Sequence, residues 1–300
     1  MAKLREGFTT GTAAAAAAKA GVLFLAAGLR PEQVEVPLPP GGRLVIPIAR
    51  YGEEQNGVRI TVVKDAGDDP DVTHRAEIQA LVWLNEGVRD GEIVLEGGKG
   101  VGRVTLSGLP VPPGEPAINP APRAQIAAAC REGLEEAGRP GGARVLVEVP
   151  EGERLAQKTL NPRLGIVGGI SILGTRGTVK PFSHESYLAT IESGLDVARA
   201  AGADHVILST GGRSERLARE DLPAVPELAC VQFADFFAPA LAAAAARGFA
   251  RITLAVFFGK LAKQAQGLAN THARTAPLDL AALAATCAAA GLEPPAVAAV

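Results

Sequence analysis

Ser183–Gly212 reads SHESYLATIESGLDVARAAGADHVILSTGG. Its first twenty residues predict a helix, and HVILSTGG predicts a strand that leaves through two glycines. Downstream, the short apolar segment ACVQFA precedes a helix in DFFAPALAAAAARG and a strand in ARITLAVFFG. A helix in KLAKQAQGLA and a final alanine-rich helix follow. Helix and strand alternating at this spacing imply a small, mostly parallel sheet covered on both faces.

Upstream of this stretch the rhythm is different. GFTTGTAAAAAAKAGVLFLAAG predicts a helix capped by Thr12 at its start and by Gly28 at its end. QVEVPL, RLVIPIA and GVRITVVK predict strands, with Pro37 and Pro47 marking edges or bulges. EIQALVWL fits a strand through Ile78, Ala80, Val82 and Leu84. GEIVLEGG and GVGRVTLSG suggest a hairpin about the glycines at 97, 98 and 100. The proline-rich LPVPPGEPAINPAPR is a rigid extended crossing. It leads to a helix near Pro122–Ala137, the strand ARVLVEVP, and a further strand with a glycine-rich exit in GIVGGISILGTRG. The fold class expected is therefore a strand-rich α+β domain over residues 1–180, followed by a smaller α/β domain over 181–300.

The bulk properties exclude some classes. A formal charge of −2 gives no general pull toward nucleic acid. Cys130, Cys230 and Cys287 form no CxxC pair or zinc spacing, so buried thiols in a reducing cytosol are expected. Lys3 and Arg5 before apolar residues imitate a signal peptide, but Glu6 and Lys19 interrupt the pattern. No uncharged apolar run reaches the ~18 residues of a membrane span. A soluble, cytoplasmic protein is expected, without nucleic-acid or membrane partners.

Four places could carry chemistry, the fourth being a pair of strand exits. In VVKDAGDDPDVTH, four of the seven residues from Asp65 to Asp71 are aspartates. Aspartates populate turns because they satisfy backbone amides, and D-P favours a turn. Four of them exceed what one turn uses, and crowded carboxylates should raise at least one pKa. A catalytic or substrate-orienting loop is the functional reading; a hard-cation site is weaker because the spacing lacks the EF-hand pattern. In TTGT, Thr9, Thr10 and Thr12 at a helix N-terminus could seat a carboxylate or phosphate, although capping explains Thr12 alone. GGKGVGR (97–103) matches no nucleotide motif and reads first as a glycine turn. STGGR (209–213) and FFGK (257–260) are strand exits, where ligands of open α/β sheets bind. Asn270–His272 could donate hydrogen bonds or cap a helix, and His184 and His205 each stand alone.

In this order, GFTTGTAAAAAAKA, VVKDAGDDPDVTH, GGKGVGRVT, PAINPAPR, NPRLGIVGGISILGT, GKLAKQAQG and NTH resemble the cobalt-precorrin-5B C1-methyltransferases of the anaerobic cobalamin pathway. The matching stretches span residues 7 to 272. The resemblance implies transfer of a methyl group from S-adenosylmethionine to carbon C1 of a cobalt-bearing tetrapyrrole, with cobalt carried by the substrate and no protein metal site. Three positions depart from the family's habit. Ala13 stands where cysteine is frequent, Arg75 follows His74 in place of a frequent glycine, and STGGR replaces a P-G turn.

Such a reaction starts from an activated sulfonium, so alignment and exclusion of water carry much of it; approximation can supply roughly 7–11 kcal/mol. A carboxylate or base would manage the macrocycle's proton and charge, and Asp65, Asp68, Asp69 and His74 are the candidates. The substrate's carboxylates call for cations and helix starts: Thr9, Thr10, Thr12, Lys99, Arg103, Arg123 and Arg176. The strand-end rule puts the methyl donor near Gly211, Gly212, Gly259 and Lys260. Transient contact with neighbouring pathway enzymes fits an unstable intermediate. The residues alone also admit a small-molecule kinase using Mg-ATP or a non-catalytic tetrapyrrole carrier.

Overall fold

Alanine is the strongest helix former and the smallest side chain that still packs, and the helix Thr10–Ala27 (α1) uses both properties. Ala13 to Ala18 have no exposed surface, and α1 lies against four strands and a second helix. By length and composition α1 could cross a membrane, yet 78% of it is buried inside the protein. Thr9, rather than the expected Thr12, is the N-cap, accepting the Thr12 N–H at 3.2 Å. Thr10 and Gly11 already take helical geometry, so Thr12 lies inside the first turn.

The computed structural model describes residues 4–85, 88–268, 271–272 and 277–293. The chain divides into two units, Met1–Ser183 and His184–Val300. The first unit is α+β. Its first strands are β1 (Gly7–Phe8), β2 (Gln33–Pro37), β3 (Arg43–Pro47), β4 (Arg50–Glu54), β5 (Gly57–Val63) and β6 (Glu77–Leu84). Next come β7 (Ile93–Gly97), β8 (Gly100–Val101), β9 (Arg103–Val104), the helix α2 (Pro120–Glu136) and β10 (Ala143–Glu148). The helix α3 (Gly152–Ala156) and the strands β11 (Ile166–Val167), β12 (Gly169–Ile170) and β13 (Thr178–Val179) complete it.

Five strands form the main sheet in the order β4-β5-β6-β10-β7, antiparallel except for the parallel pair β10 and β7. Ile60 and Val62 of β5, Ile78, Ala80 and Val82 of β6, and Val145 and Val147 of β10 are fully buried in one core with α1 and α2. Pro37 and Pro47 end the two strands of a separate β2–β3 ribbon. The hairpin expected around residues 97–100 does not form. β7 pairs with β10, β8 runs parallel to β12, and β9 is antiparallel to β11. The glycines serve close approach instead: Gly100 has φ 71°, and a Cβ there would lie 1.9 Å from the Val149 carbonyl oxygen.

The second unit is α/β. Its elements are α4 (His184–Ala200), β14 (His205–Ser209), α5 (Gly212–Asp221), β15 (Cys230–Gln232), α6 (Phe237–Ala246), β16 (Arg251–Ala255), α7 (Phe258–Ala265) and α8 (Leu280–Ala289). The three strands are parallel in the order β15-β14-β16, with the first strand in the middle. The chain therefore reverses its direction of travel about β14, and right-handed crossovers put α5 and α6 on opposite faces. Ile207, Leu208, Phe233, Leu195 and Ala240 are among the core residues.

Candidate functional site

The aspartate loop leaves the end of β5. The inward register Val58, Ile60, Val62 continues to Lys64, which is only 1% exposed. Its ammonium is 2.7 Å from Asp71 Oδ2, while Asp71 Oδ1 accepts the Thr73 N–H and hydroxyl at 2.7 and 2.6 Å. Burial pushes the Asp71 carboxyl up, but Lys64 and these hydrogen bonds outweigh it and hold it below its ordinary value. Asp65 pairs with the Arg5 guanidinium and accepts the Gly67 N–H at 2.9 Å. The Arg5 hydrogen bond leads the causes that pull its pKa down to about 2. The rise expected from carboxylate crowding is thus reversed at Asp65 and Asp71, because each faces its own cation.

Asp68 Oδ2 accepts the Arg5 N–H at 2.7 Å, and Asp69 Oδ1 accepts the Phe182 N–H at 3.0 Å. His74 Nδ1 accepts the Ala66 N–H at 3.1 Å. In its neutral form His74 therefore carries its proton on Nε2, which is left as a donor. Arg75 follows with φ 67°, a left-handed conformation that favours glycine.

β1 is the wedge that joins this loop to the helix start. Phe8 donates its N–H to the Asp65 carbonyl at 2.8 Å, and Gly7 and Phe8 pair with β13. A Cβ on Gly7 would come within 2.2 Å of the Ala66 backbone. The threonines are buried and already engaged. Thr12 donates to the Gly177 carbonyl at 2.7 Å, and Thr10 Oγ1 accepts the Leu173 N–H at 2.9 Å while Thr9 caps α1. They stitch the helix to the loop 171–177, which carries the exposed Arg176.

This arrangement brings together Asp65, Asp68, Asp69, His74, the three threonines and the loop of Arg176. Lys99 and Arg103 lie on the adjoining glycine-rich strip and are exposed. Lys99 donates its backbone N–H to Glu148 at 3.3 Å, and the Arg103 guanidinium holds the Gly114 carbonyl. Arg123 points back into the proline-rich crossing, 2.8 Å from the Ile118 carbonyl.

In the second unit, Gly211, Gly212, Gly259 and Lys260 gather at the carboxyl ends of β14 and β16. The two exits are joined by the Thr210 N–H and the Ala255 carbonyl at 3.2 Å. A Cβ at any of the three glycines would meet nothing within 4 Å, so no protein packing demands glycine there. Lys260 Nζ donates to the Ala234 carbonyl at 2.8 Å and pairs with Asp235 at 3.0 Å. Thr271 is buried, its hydroxyl 3.1 Å from Asp235 Oδ1. Asn270 lies outside the described residues. His184 meets the Phe236 ring edge-on and Tyr187 stacks on it, while His205 bonds Thr253 Oγ1 at 2.8 Å.

Arg5, Lys64 and Asp235 are the participants that sequence reasoning passed over. Lys64 was signalled by its place in the β5 alternation. Arg5 and Asp235 carry no local signal, because their partners lie 60 and 25 residues away in the chain.

The family model CbiD matches residues 1–181. A cobalt-precorrin-5B C(1)-methyltransferase of Nitratidesulfovibrio vulgaris is 54% identical over 298 residues, covering 97% of this chain and 76% of that protein. One of the same name from Geobacillus sp. is 47% identical over 301 residues, covering 99% and 80%. A crystal structure of a cobalamin biosynthesis protein from Archaeoglobus fulgidus is 29% identical over 88% of this chain and 80% of that one, with a TM-score of 0.48. Matched by the model over its first unit and by these relatives nearly from end to end, the chain belongs to the CbiD family.

Proposed function

We propose that this protein is the S-adenosylmethionine-dependent methyltransferase that converts cobalt-precorrin-5B to cobalt-precorrin-6A, methylating C1 in anaerobic cobalamin biosynthesis. The observation that carries the reading is 54% identity over 97% of the chain to a relative of that name. Cobalt belongs to the substrate. The burial of α1 makes it a core helix of the first unit, and the place of such a biosynthetic enzyme is the cytoplasm.

The residues divide the work between the two units. In the first, Lys99 and Arg103 on the glycine-rich strip and Arg176 on the loop 171–177 are exposed cations, suited to the acetate and propionate carboxylates of a tetrapyrrole. Thr9, Thr10 and Thr12 act by holding the loop of Arg176, and Arg123 by bracing the crossing. Asp65, held near pKa 2, is a weak base and serves to fix the loop through Arg5. His74, whose Nε2–H is a donor, and Asp68, exposed with one oxygen unused by Arg5, manage proton and charge at the macrocycle. Asp69 holds the backbone at Phe182.

The second unit holds the methyl donor. The open glycines at the strand exits fit this role, since ligands approach the backbone at a topological switch point. When bound, S-adenosylmethionine supplies a methyl group on a sulfonium. Gly211, Gly212 and Gly259 admit it, and Lys260 fixes the Asp235 loop beside it.

The test is anaerobic incubation of the purified chain with cobalt-precorrin-5B and S-adenosylmethionine, followed by mass spectrometry of the tetrapyrrole. A gain of one methyl that requires the donor is the expected result. Intact substrate bound without turnover would favour a carrier, and Mg-dependent ATP binding without a response to the donor would favour a kinase.

A further inference from the structure

Phe182 is the most exposed large apolar side chain among the described residues, at 68%. Exposure of one such side chain is ordinary by itself. Its backbone is not: Phe182 has φ 55°, and among the described residues in that left-handed region it alone carries an aromatic ring. A bulky residue gains nothing locally from this conformation, which persists only where the surroundings impose it. Here they do. Pro181 is buried and anchors the turn, and Asp69 Oδ1 accepts the Phe182 N–H at 3.0 Å. The fold thus commits a carboxylate of the aspartate loop to holding a phenyl ring in solvent.

The same residue ties the ring to the rest of the cluster. Asp69 donates its N–H to the Ala66 carbonyl at 3.3 Å, and Ala66 donates its own to His74 Nδ1 at 3.1 Å. Three hydrogen bonds therefore link the Phe182 backbone to the imidazole of His74. On the other side of Pro181, Lys180 is exposed and has no acidic partner among the described residues. One anchored turn thus offers a flat apolar face and a cation. An aromatic face attracts a flat conjugated partner by offset stacking, and an ammonium attracts a carboxylate. A ligand with a broad apolar face and carboxylates at its rim answers both.

We infer that the Phe182 ring stacks on the face of the tetrapyrrole macrocycle, and that Asp69 is the positioning residue that holds the ring there. The inference rests on the reading that the first unit takes the tetrapyrrole. The methyl donor also has a flat base and a carboxylate, so the test separates the two ligands.

The experiment compares the full chain with Phe182→Gly, Phe182→Asn, Phe182→Trp, Asp69→Ala, and Asp69→Ala combined with Phe182→Gly. Melting temperature is measured for each, with anaerobic equilibrium binding of cobalt-precorrin-5B and calorimetric binding of S-adenosylhomocysteine. Glycine and asparagine accept a left-handed backbone, so both variants should melt at or above the parent's temperature. Each should bind cobalt-precorrin-5B about tenfold more weakly and S-adenosylhomocysteine as the parent does. Phe182→Trp should keep the parent's affinity for both. Asp69→Ala should weaken tetrapyrrole binding in the parent and have no further effect beside Phe182→Gly. A lower melting temperature in Phe182→Gly and Phe182→Asn with tetrapyrrole affinity unchanged would overturn the inference, making the ring a packing group. A loss confined to S-adenosylhomocysteine would overturn it too, assigning the ring to the donor's base. If the parent binds cobalt-precorrin-5B and every Phe182 variant binds it equally, the stacking falls and the tetrapyrrole reading stands. If the parent does not bind it, both fall.

Discussion

Lys64 and Asp71 show how a single buried cation organises a loop of anions. Lys64→Met would leave the Asp71 carboxylate, 25% exposed, without its counterion at 2.7 Å. The expected cost is about 3 kcal/mol in urea unfolding. Lys19 is as deeply buried, but Glu132 keeps Arg43 at 2.8 Å and Glu136 is half in solvent. Lys19→Met should therefore cost less than half as much, and equal costs would contradict this account. Asp65 supplies a pH dependence with a definite sign. Its folded pKa of about 2 lies below its ordinary 3.8, so its contribution is complete above that value and is lost as pH falls through about 2. Arg5→Met should lower the urea midpoint at neutral pH, and the difference from the parent should close below pH ~2. A difference that persists in strong acid would assign the Arg5 effect to packing.

At the scale of elements, the two-residue strand β1 matters more than its length suggests, because the aspartate loop and β13 both hang on it. Gly7→Ala places a Cβ 2.2 Å from the Ala66 backbone, so the loop must move. The expected result is a lower melting temperature and a raised KM for the tetrapyrrole, with the fold retained by circular dichroism. Thr12→Val is the gentler probe. It keeps the volume but removes the donor to Gly177, at a cost of about 1–2 kcal/mol. If the threonines act through the loop of Arg176, KM rises while kcat holds; an unchanged KM would detach that loop from substrate binding. Elements of this size are nearly silent in the sequence. Gly7–Phe8 has no period, and α5 (GRSERLARED) is too polar to announce a core-facing helix. EIQALVWL, by contrast, was legible because Ile78, Ala80, Val82 and Leu84 alternate in the sequence, although the strand is buried on both faces from Ile78 to Val82.

At the scale of the whole molecule, the two units give separable phenotypes. Gly259→Val should abolish binding of the methyl donor and leave the melting temperature unchanged, since its Cβ meets nothing. Calorimetry and thermal unfolding of the same sample check this, and a large fall in stability would mean that the glycine serves the fold. The α+β and α/β halves could be read from the sequence because hydrophobic period is a local property, repeated over ten or more residues. The glycine exits of β14 and β16 were legible for the same reason, each ending an apolar run. What the aspartates do was not legible. Asp65, Asp68 and Asp69 take partners 60 or more positions away, and only chain closure brings Arg5 and Phe182 to them. The hairpin at residues 97–100 failed likewise, since Gly100 is shaped by Val149 rather than by its neighbours. Periodicity and composition by themselves determined the layers of this protein and the motifs that place it in its family. Which carboxylates are already neutralised, which threonines are spent inside, and which ring is held out in solvent were decided by the tertiary structure. Electrostatics and hydrogen bonding depend on distance in space, and sequence separation does not encode it.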